Sequence, residues 1–327
     1  MIAVIVSACM WLLVACLLVL RRGRVERSIT YASFTIAVSI TLNIDAVYLA
    51  LDGWLGGTNL VTLAADLALM TGVFFLGRGV MKAADAPSRA VRIALGRLAF
   101  TIAVVSATVA FVLIDRRATT PEFMLDLGGQ PATAAYSMIL FTYYAVVLVA
   151  MGAVATRQVR VSHGIDALPP VLLVIGCACG VALSAVVAVM DIAHISGNLD
   201  VMTGAAVAYG PLYLLTFVFL CLGFAGQPAV RTIRARERAR TTLSLTAQLA
   251  PVWQAASEVR PGISQDAAFD DADPEALLHR QVVEIRDALI DGRVTFTISV
   301  AQRELLEEAE RHLVGGAGNS TPMRVRT

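Results

Sequence analysis

Long runs of apolar residues, separated by short polar segments, fill the first two thirds of this 327-residue chain. A helix that crosses a bilayer needs about 20 consecutive, mostly apolar residues. Seven stretches are long enough, and they cover residues 2–20, 29–51, 59–77, 93–114, 132–155, 168–191 and 201–225. The pattern therefore predicts an all-α, polytopic membrane protein whose seven transmembrane helices form a domain over residues 1–226.

The amino-acid composition also favours a membrane protein. Of the residues, 57% are hydrophobic and 16% are charged, whereas soluble domains average about 45–50% apolar and about 25% charged. The net charge of +1 provides no basic field that would attract nucleic acid, so we expect no nucleic-acid partner. No basic residue precedes the first apolar stretch and several arginines follow it, which favours a retained anchor over a cleaved signal peptide.

The distribution of basic residues predicts the orientation of the helices. The loops on one side, with the segment after the last helix, carry 15 Arg and Lys residues, and those on the other side carry two. The basic loops are 21–28, 78–92 and 156–167, and the opposite loops are 52–58, 115–131 and 192–200. Because basic loops stay in the cytoplasm, we predict a plasma (inner) membrane protein with its N-terminus outside and its C-terminus in the cytoplasm.

Small residues recur at four-residue intervals along the sixth stretch, at Gly176, Gly180, Ser184 and Ala188. Such a stripe lets another helix approach closely. Close packing within the chain is one interpretation, and the face of a homodimer is the other.

The C-terminal part of the chain predicts a small cytoplasmic helical domain over residues 227–316. An apolar face that begins at Leu245 predicts a helix over about 241–256. Residues 257–272 lack periodicity and predict a loop, and residues 317–327 are expected to be disordered.

Capping signals predict two more helices in this tail. Asp273 is a suitable N-cap, with Pro274 in the first helical position. Ser299 and Gln302 form a capping box for the last helix, which a Gly-Gly pair ends. The alternation of polar and apolar residues over 293–298 predicts a short strand between the two helices.

Acidic residues inside the apolar stretches are the first candidates for function, because ionisable groups at membrane depth are costly. Asp45 and Asp66 each lie about 10 Å from the predicted outer boundary at 1.5 Å per residue, and Asn43 is nearby. Two carboxylates that face each other could carry a proton or bind a cation. Alternatively, either one faces a watery outer vestibule or makes a structural hydrogen bond.

A second candidate group lies at the predicted outer mouth of the last two helices. It consists of Asp191, His194 and Asp200. A histidine near acids can respond to pH or bind a metal. Alternatively, these three residues belong to a short polar loop at the membrane interface and bind nothing.

Signatures of enzymes are missing from the sequence. There is no phosphate-binding P-loop, no H-E-x-x-H motif, no G-x-S-x-G motif and no Rossmann glycine motif, and the four histidines are scattered. We therefore predict a protein that is not an enzyme and that binds neither a cofactor nor a metal.

Two segments resemble a family of bacterial seven-helix membrane proteins. The first, TLNIDAVYLALDGWLGGTNLVTLAADLAL over 41–69, contains Asn43, Tyr48, Asp52, Gly56, Asn59 and Leu60. The second comprises LAPVWQAASEV over 249–259 and LLHRQVVEIRDALI over 277–290. Members of the family are labelled as transporters and carry an uncharacterised cytoplasmic C-terminal domain, so the resemblance implies both. The chain departs from the family pattern where DGRVTFTI replaces a Leu-Arg-Pro-Tyr-like segment.

The resemblance also marks a group of tail residues, namely Trp253, Arg280, Val283, Glu284, Ile285, Arg286 and Asp287. Arg280 and Glu284 are one helical turn apart and can form an ion pair, which indicates a salt-bridged structural helix. The alternative is a docking surface for a soluble protein, formed by Trp253, Arg280, Glu284, Arg286 and Asp287.

Two functions remain open at this stage. The first is a small-solute or ion transporter in which Asp45 and Asp66 line a cavity. The second is a membrane sensor or scaffold whose tail docks a soluble signalling partner. The sequence shows no internal repeat of the kind that many transporters have, and it contains no output motif that would make the tail a signalling enzyme.

Overall fold

The structure, a computed structural model, describes residues 2–20, 27–82, 89–116, 118–259, 273–293 and 295–317. Within these ranges the regular structure is entirely helical, in agreement with the predicted class. The chain divides into two compact units, Met1–Val230 and Arg231–Thr327. We call them the N-terminal unit and the C-terminal unit.

The helices of the described residues follow in chain order. They are α1 (Ile2–Leu20), α2 (Arg27–Leu42), α3 (Asp45–Trp54), α4 (Leu60–Lys82), α5 (Arg89–Ala94), α6 (Arg97–Val112), α7 (Phe123–Leu127), α8 (Pro131–Val161), α9 (Leu168–Ile195), α10 (Leu199–Val259), α11 (Pro274–Ile290) and α12 (Val300–Ala317). A 3-10 turn at Gly164–Ala167 precedes α9.

Four of these helices are long and apolar enough to cross a membrane, namely α4, α8, α9 with its 3-10 turn, and α10. The helices α2 and α3 pass the same test only as a pair, and they are bent by 82°. The apolar helices α1 and α6 are shorter. The described part of the chain therefore contains four candidate spans, or five if the bent pair is one span, where the sequence predicts seven.

The second predicted span is not a continuous helix, because the chain leaves the helical path at Asn43 and Ile44. The Asn43 side chain donates a hydrogen bond to the Ser39 carbonyl over 3.1 Å, and such bonds compete with the backbone ladder. Ile44 is extended, with φ −79° and ψ 122°. Asp45 then lies in the first turn of α3, where a carboxylate is favoured by the helix dipole.

The fourth predicted span is also interrupted. Gly96 is extended, with φ −77° and ψ 160°, and glycine is a poor helix former. The break leaves the short helix α5 before it and the apolar helix α6 after it. The sequence did not predict the short helix α7, which lies in a loop of mixed polarity.

α8 is the central helix of the N-terminal unit and packs against α4, α6 and α9. Its side chains Leu140, Val147 and Met151 are almost completely buried. Because α8 has neighbours on several sides, it brings residues of α4 and α9 to its own polar side chains.

The small-residue stripe on α9 is used for packing within the chain. A Cβ atom on Gly176 would lie 2.9 Å from the backbone nitrogen of Leu220, and one on Gly180 would lie 2.6 Å from Leu148 and 3.1 Å from Thr216. These two glycines let α8 and α10 approach α9 closely. The interpretation of close packing within the chain is therefore supported at both positions.

The seventh predicted span and the first predicted tail helix are parts of one helix, α10. The intervening segment RTIRARERAR consists mainly of good helix formers, so the helix continues through it. The predicted loop at 257–272 begins later than expected, since α10 ends at Val259. Residues 260–272 of that prediction lie outside the described residues.

The C-terminal unit has an apolar core of its own. The predicted faces are buried, with Leu249 from α10, Leu278 and Ile285 from α11, and Leu306 from α12 fully inaccessible. Amphipathic helices gain most of their stability from burying such a face. The three helical segments therefore stabilise one another.

Both capping predictions in the C-terminal unit are confirmed. The Asp273 side chain accepts a hydrogen bond from the backbone of Glu275 over 3.0 Å. The Ser299 hydroxyl accepts from the Gln302 backbone over 3.2 Å, and the Gln302 side chain accepts from the Ser299 backbone over 2.8 Å.

Two predictions at the end of the chain differ from the structure. The strand predicted over 293–298 is wrong for its described residues, which have no regular structure at 295–298, because no second strand is present there to pair with them. The last helix does not end at Gly315 but runs to Ala317. Disorder was predicted for residues 317–327. Ala317 is the last residue of α12, and residues 318–327 lie outside the described part of the chain.

Candidate functional site

The first candidate site is centred on Asp66, the acidic residue of α4. The hydroxyl of Tyr136 on α8 donates a hydrogen bond to Asp66 Oδ2 over 2.6 Å. Tyr136 is completely buried and Asp66 is half-buried. The site exists because α4 packs on α8, which brings together two residues that are distant in sequence.

Tyrosines from several other helices lie within range of the charge of Asp66. Tyr48, Tyr144, Tyr209 and Tyr213 lie close enough to the carboxylate to interact with its charge. The Tyr144 hydroxyl is buried without a hydrogen-bond partner. At least one of the hydroxyl groups in this region, that of Tyr144, is therefore not bonded to another protein group.

Within the described residues, no Arg or Lys forms an ion pair with Asp66. A carboxylate in an apolar setting is costly unless it is paired, protonated or bound to a cation. The Tyr136 hydroxyl satisfies one oxygen of the carboxylate. The arrangement can accordingly hold a proton or a small cation at Asp66.

Asp45 and Asn43 are not part of this arrangement. Both side chains are exposed, and the Asn43 amide bonds to the Ser39 carbonyl. Among the described residues, neither a hydrogen bond nor an electrostatic interaction joins Asp45 to Asp66. The break before α3 moves Asp45 out of the helical path on which the predicted pair depended.

A buried polar cluster around Asp52 was not among the predicted site residues. Asp52 is completely inaccessible. Its Oδ2 accepts from the Asn59 backbone over 2.8 Å and from the Thr119 hydroxyl over 2.6 Å, and its Oδ1 accepts from the Val61 backbone over 3.2 Å. The carboxylate thus caps the N-terminus of α4, where a negative charge is favoured.

Asn59 extends this cluster to the next loop. Its backbone has φ +59°, a conformation that Asn tolerates better than most residues. Its Oδ1 accepts from the Tyr48 hydroxyl over 2.7 Å and from the Thr120 backbone over 2.9 Å, and the amide donates to the Ala118 carbonyl over 3.2 Å. The network therefore ties the α3–α4 turn to residues 118–120.

The signal that could have revealed this network was in the sequence. Tyr48, Asp52 and Asn59 all belong to the segment that carries the family resemblance. Asn59, directly before the start of α4, is of a residue type favoured at helix N-termini, whereas Asp52 lies eight residues before that start and carried no capping signal. The partner Thr119 could not have been chosen, because it belongs to a distant loop.

The predicted outer group of Asp191, His194 and Asp200 does not form one cluster. Asp191 lies beside Ser137 of α8, and the His194 ring packs against the backbone of Gly128. Asp200 is exposed in the first turn of α10. No set of three metal-binding side chains of the His, Cys, Asp or Glu type comes together in the described residues.

A small cavity of about 20 Å³ lies elsewhere in the N-terminal unit. Its lining includes Gly79, Met151, Gln158 and Cys177. Gly79 lies about 20 Å along α4 from Asp66 at 1.5 Å per residue. The cavity has room for about one water molecule and is separate from the Asp66 site.

In the C-terminal unit, Glu284 connects two of the predicted docking residues. It is almost completely buried, and it accepts hydrogen bonds from the Trp253 indole and, over 2.9 Å, from Arg280. The Arg280 guanidinium also lies 5.9 Å from the centroid of the Trp253 ring, within cation–π range. The pairing predicted between Arg280 and Glu284 is confirmed.

Arg286 is also paired inside the C-terminal unit. Its guanidinium donates two hydrogen bonds to Glu310, over 2.5 Å and 2.8 Å. The hydrogen bond from Arg286 lowers the pKa of the Glu310 carboxyl, and the same bond raises the pKa of Arg286. Of the predicted docking residues, Asp287 is the one that is exposed.

Comparisons of the chain with models of protein families, with curated proteins and with solved structures found no match. The resemblance to the seven-helix family therefore stays a prediction.

Proposed function

We propose that the protein is a multi-pass membrane transporter of protons or small cations, and that Asp66 is the carboxylate that carries the ion. The observation that supports this most is the Asp66–Tyr136 pair, which lies between two candidate spans. Ionisable residues inside spans are rare, and they mark ion pathways and proton relays.

The proposed topology has seven spans, with the N-terminus outside and the C-terminus in the cytoplasm. The four long helices, the bent pair α2 and α3, and the shorter apolar helices α1 and α6 add up to this number. The loop bias of 15 basic residues to two supports the orientation through the positive-inside rule.

The chemistry of the proposed step is the gain and loss of one positive charge at Asp66. Tyr136 donates to the carboxylate and so stabilises its charged form between ions. Binding of a proton or a cation neutralises the carboxylate, which lowers the cost of its exposure to an apolar surrounding.

The sensor or scaffold alternative has less support. The proposed docking residues Trp253, Arg280, Glu284 and Arg286 make their contacts inside the C-terminal unit. A buried or paired side chain is a poor recognition group for a soluble partner, because binding would first have to break its present contacts.

The proposal is tested in liposomes that contain the purified full-length chain. Proton uptake is followed with an enclosed pH-sensitive dye under a potassium diffusion potential, and cation uptake with radioactive Na⁺. We expect the wild type to move one of these ions above the rate of empty liposomes. Asp66→Asn should reduce that rate to the background, because it removes the charge and keeps the shape.

Asp45→Asn is the matched control, since Asp45 is exposed and has no contact with Asp66. It should transport like the wild type, and Tyr136→Phe should transport more slowly because the carboxylate loses its donor. A wild type that moves neither ion, or an Asp66→Asn variant with the wild-type rate, contradicts the proposal.

A further inference from the structure

The segment between α6 and α8 that comprises residues 118–129 is attached to the turn before α4. We call it the covering segment, and it contains α7. The Thr119 hydroxyl donates a hydrogen bond to Asp52 over 2.6 Å. The backbone of Thr120 donates one to the Asn59 side chain over 2.9 Å. The covering segment is therefore held by polar contacts to residues that belong to the loop before α4.

The covering segment also packs on α6 and α9. The Phe123 ring stacks on the Phe111 ring of α6, with 5.9 Å between the ring centroids. The His194 ring of α9 lies against the backbone of Gly128, where an added Cβ atom would be 2.5 Å from Nδ1. The segment thus contacts three neighbours, namely the turn before α4, α6 and α9, and it ends just before α8.

Aromatic contacts connect the covering segment to the hydrogen-bond partner of Asp66. Phe111 holds Phe123 on one side and contacts Tyr136 on another, with 5.4 Å between the ring centroids. Tyr136 in turn donates to Asp66, which lies within the first two turns of the 23-residue helix α4. The segment therefore lies at the end of the helices that is nearer to Asp66, and the proposed topology places this end outside.

The contacts of the covering segment are suited to opening. Phe123 and Leu127 are buried, whereas five of its side chains are exposed, namely Ala118, Pro121, Glu122, Leu125 and Asp126. A segment with few buried apolar contacts opens at a lower free-energy cost than a packed helix. The pair Gly128–Gly129 joins it to the start of α8, and small residues are common at hinges.

We infer that the covering segment is a gate that closes the route between Asp66 and the solution at this end of the helices. The inference rests on the ion transport proposed above, and it adds the element that controls access to the carboxylate. Transport by alternating access requires such gating, because the binding site opens to one side at a time. The gate opens when the bonds to Asp52 and Asn59 break and the segment moves about the glycine pair.

A disulfide across the gate tests this inference. A Cβ atom added to Gly57 would lie 3.3 Å from Thr119 Oγ1, and the Cβ atoms of a disulfide are about 3.5–4.5 Å apart. Gly57→Cys and Thr119→Cys are therefore introduced together into a full-length chain without native cysteines. Oxidation then fixes the covering segment to the turn before α4, and a reductant releases it.

The measurement is ion uptake into liposomes by the double variant, with the crosslink verified by mass spectrometry. We expect the oxidised protein to move ions no faster than empty liposomes, and the reductant should restore the rate. The two single variants are the matched controls, because neither can form the crosslink within the chain. Each should transport at the same rate before and after oxidation.

An oxidised double variant that keeps the rate of its reduced form overturns the gate, because the segment is then a fixed cover. That result leaves the transport proposed for Asp66 intact. A wild type that moves no ion contradicts the transport itself, and the gate falls with it. The two failures are therefore distinguished in one set of liposomes.

Hydrogen exchange of the wild-type protein in detergent is the second measurement, and it decides if the double variant does not fold. Gly57 has φ +66°, where a cysteine side chain is strained. We expect the peptide that contains Thr120, whose amide is bonded to Asn59, to exchange much faster than peptides from the middle of α8. Equal protection of these peptides overturns the gate, because the contacts of the segment then do not open.

Discussion

The aspartates of the N-terminal unit show how neighbours determine the role of one side chain. Asp45 is exposed in the first turn of α3. Asp52 is buried and bonded to two backbone N–H groups. Asp66 is bonded to a tyrosine hydroxyl. The first is a surface residue and the second a structural cap, and the third is the residue proposed above to carry the ion.

The role of Asp52 as a cap gives a prediction for stability. Asp52→Ala should lower the free energy of unfolding by about 3 kcal/mol, because it leaves buried backbone donors at Asn59 and Val61 unbonded. Denaturant unfolding of the purified protein in detergent measures the change.

Asp45→Ala, on the same helix, serves as the control for the Asp52 variant and should change the stability by less than about 0.5 kcal/mol, as exposed sites do. Equal losses for the two variants would show that Asp52 does not act as a buried cap.

The Arg286–Glu310 pair gives a prediction for pH. The pKa of Glu310 is lower in the folded chain than in the unfolded chain, so the pair contributes its stabilisation above the unfolded value of about 4.3. That contribution is lost as the pH falls through the lower, folded pKa. The fluorescence of Trp253, in a chain whose other tryptophans are replaced by Phe, reports unfolding of this unit between neutral and acid pH.

Glu310→Gln should remove that part of the pH dependence and weaken the unit at neutral pH. Glu308→Gln, at an exposed position of the same helix, should lose stability at acid pH in the same way as the wild type. If both variants show the wild-type pH dependence, Glu310 does not contribute to acid unfolding.

Sequence reasoning at this scale could find single residues but not their partners. Asp66 is conspicuous because it is the one charged residue of an apolar stretch. Tyr136 lies 70 positions later, and only the packing of α4 on α8 brings it to the carboxylate.

At the scale of the element, the α9 glycines allow a comparison between two kinds of neighbour. A Cβ atom on Gly176 would meet the backbone nitrogen of Leu220 at 2.9 Å, whereas a Cβ on Gly180 would first meet the end of the Leu148 side chain at 2.6 Å. A side chain can rotate away, but backbone can yield only if the helices separate. The two positions should therefore differ in tolerance.

Gly176→Ala should accordingly lower the stability by about 1–3 kcal/mol, the usual cost of overpacking, and Gly180→Ala should cost less. Gly204→Ala is the control, because no atom lies within 4 Å of its added Cβ. Thermal unfolding in detergent ranks the three variants, and a Gly176→Ala protein as stable as the Gly204→Ala protein would contradict the close contact.

Helix boundaries were predictable where local chemistry determines them. Asp273 and Ser299 act on groups within three residues, so their caps can be identified from the sequence. The breaks near Asn43 and Gly96 were not predicted, because both residue types are also accommodated inside spanning helices. The strand predicted over 293–298 had no partner strand, which a pattern within one segment cannot show.

At the scale of the whole molecule, the proposed orientation makes a prediction for labelling. A single cysteine is introduced into a variant without native cysteines, either by His163→Cys or by Asn198→Cys. Position 163 lies between α8 and α9, and position 198 lies between α9 and α10. A membrane-impermeant thiol reagent added to intact cells should label position 198 and not position 163, because the basic loops stay inside.

Opening the cells should make position 163 reactive as well, which shows that its thiol is accessible. The reverse pattern in intact cells would reject the proposed orientation. Labelling of both positions or of neither would reject α9 as a span.

The sequence predicted the all-helical class and the approximate ranges of the long apolar helices. It could not predict that α10 continues from a candidate span into the C-terminal unit, because the two halves of that helix have opposite polarity. It also could not distinguish a straight span from the bent pair α2 and α3, since hydropathy measures composition and not direction.

The Asp52 cap fixes the start of α4, and distances along the helix can be counted from that point. Asp66 lies about 9 Å and Lys82 about 33 Å from Leu60 at 1.5 Å per residue. A tilt of α4 by about 5° about its capped end would therefore move Asp66 by less than about 1 Å and the far end of α4 by about 3 Å. The cap thus places the proposed ion-carrying carboxylate in the part of α4 that such a tilt would displace least.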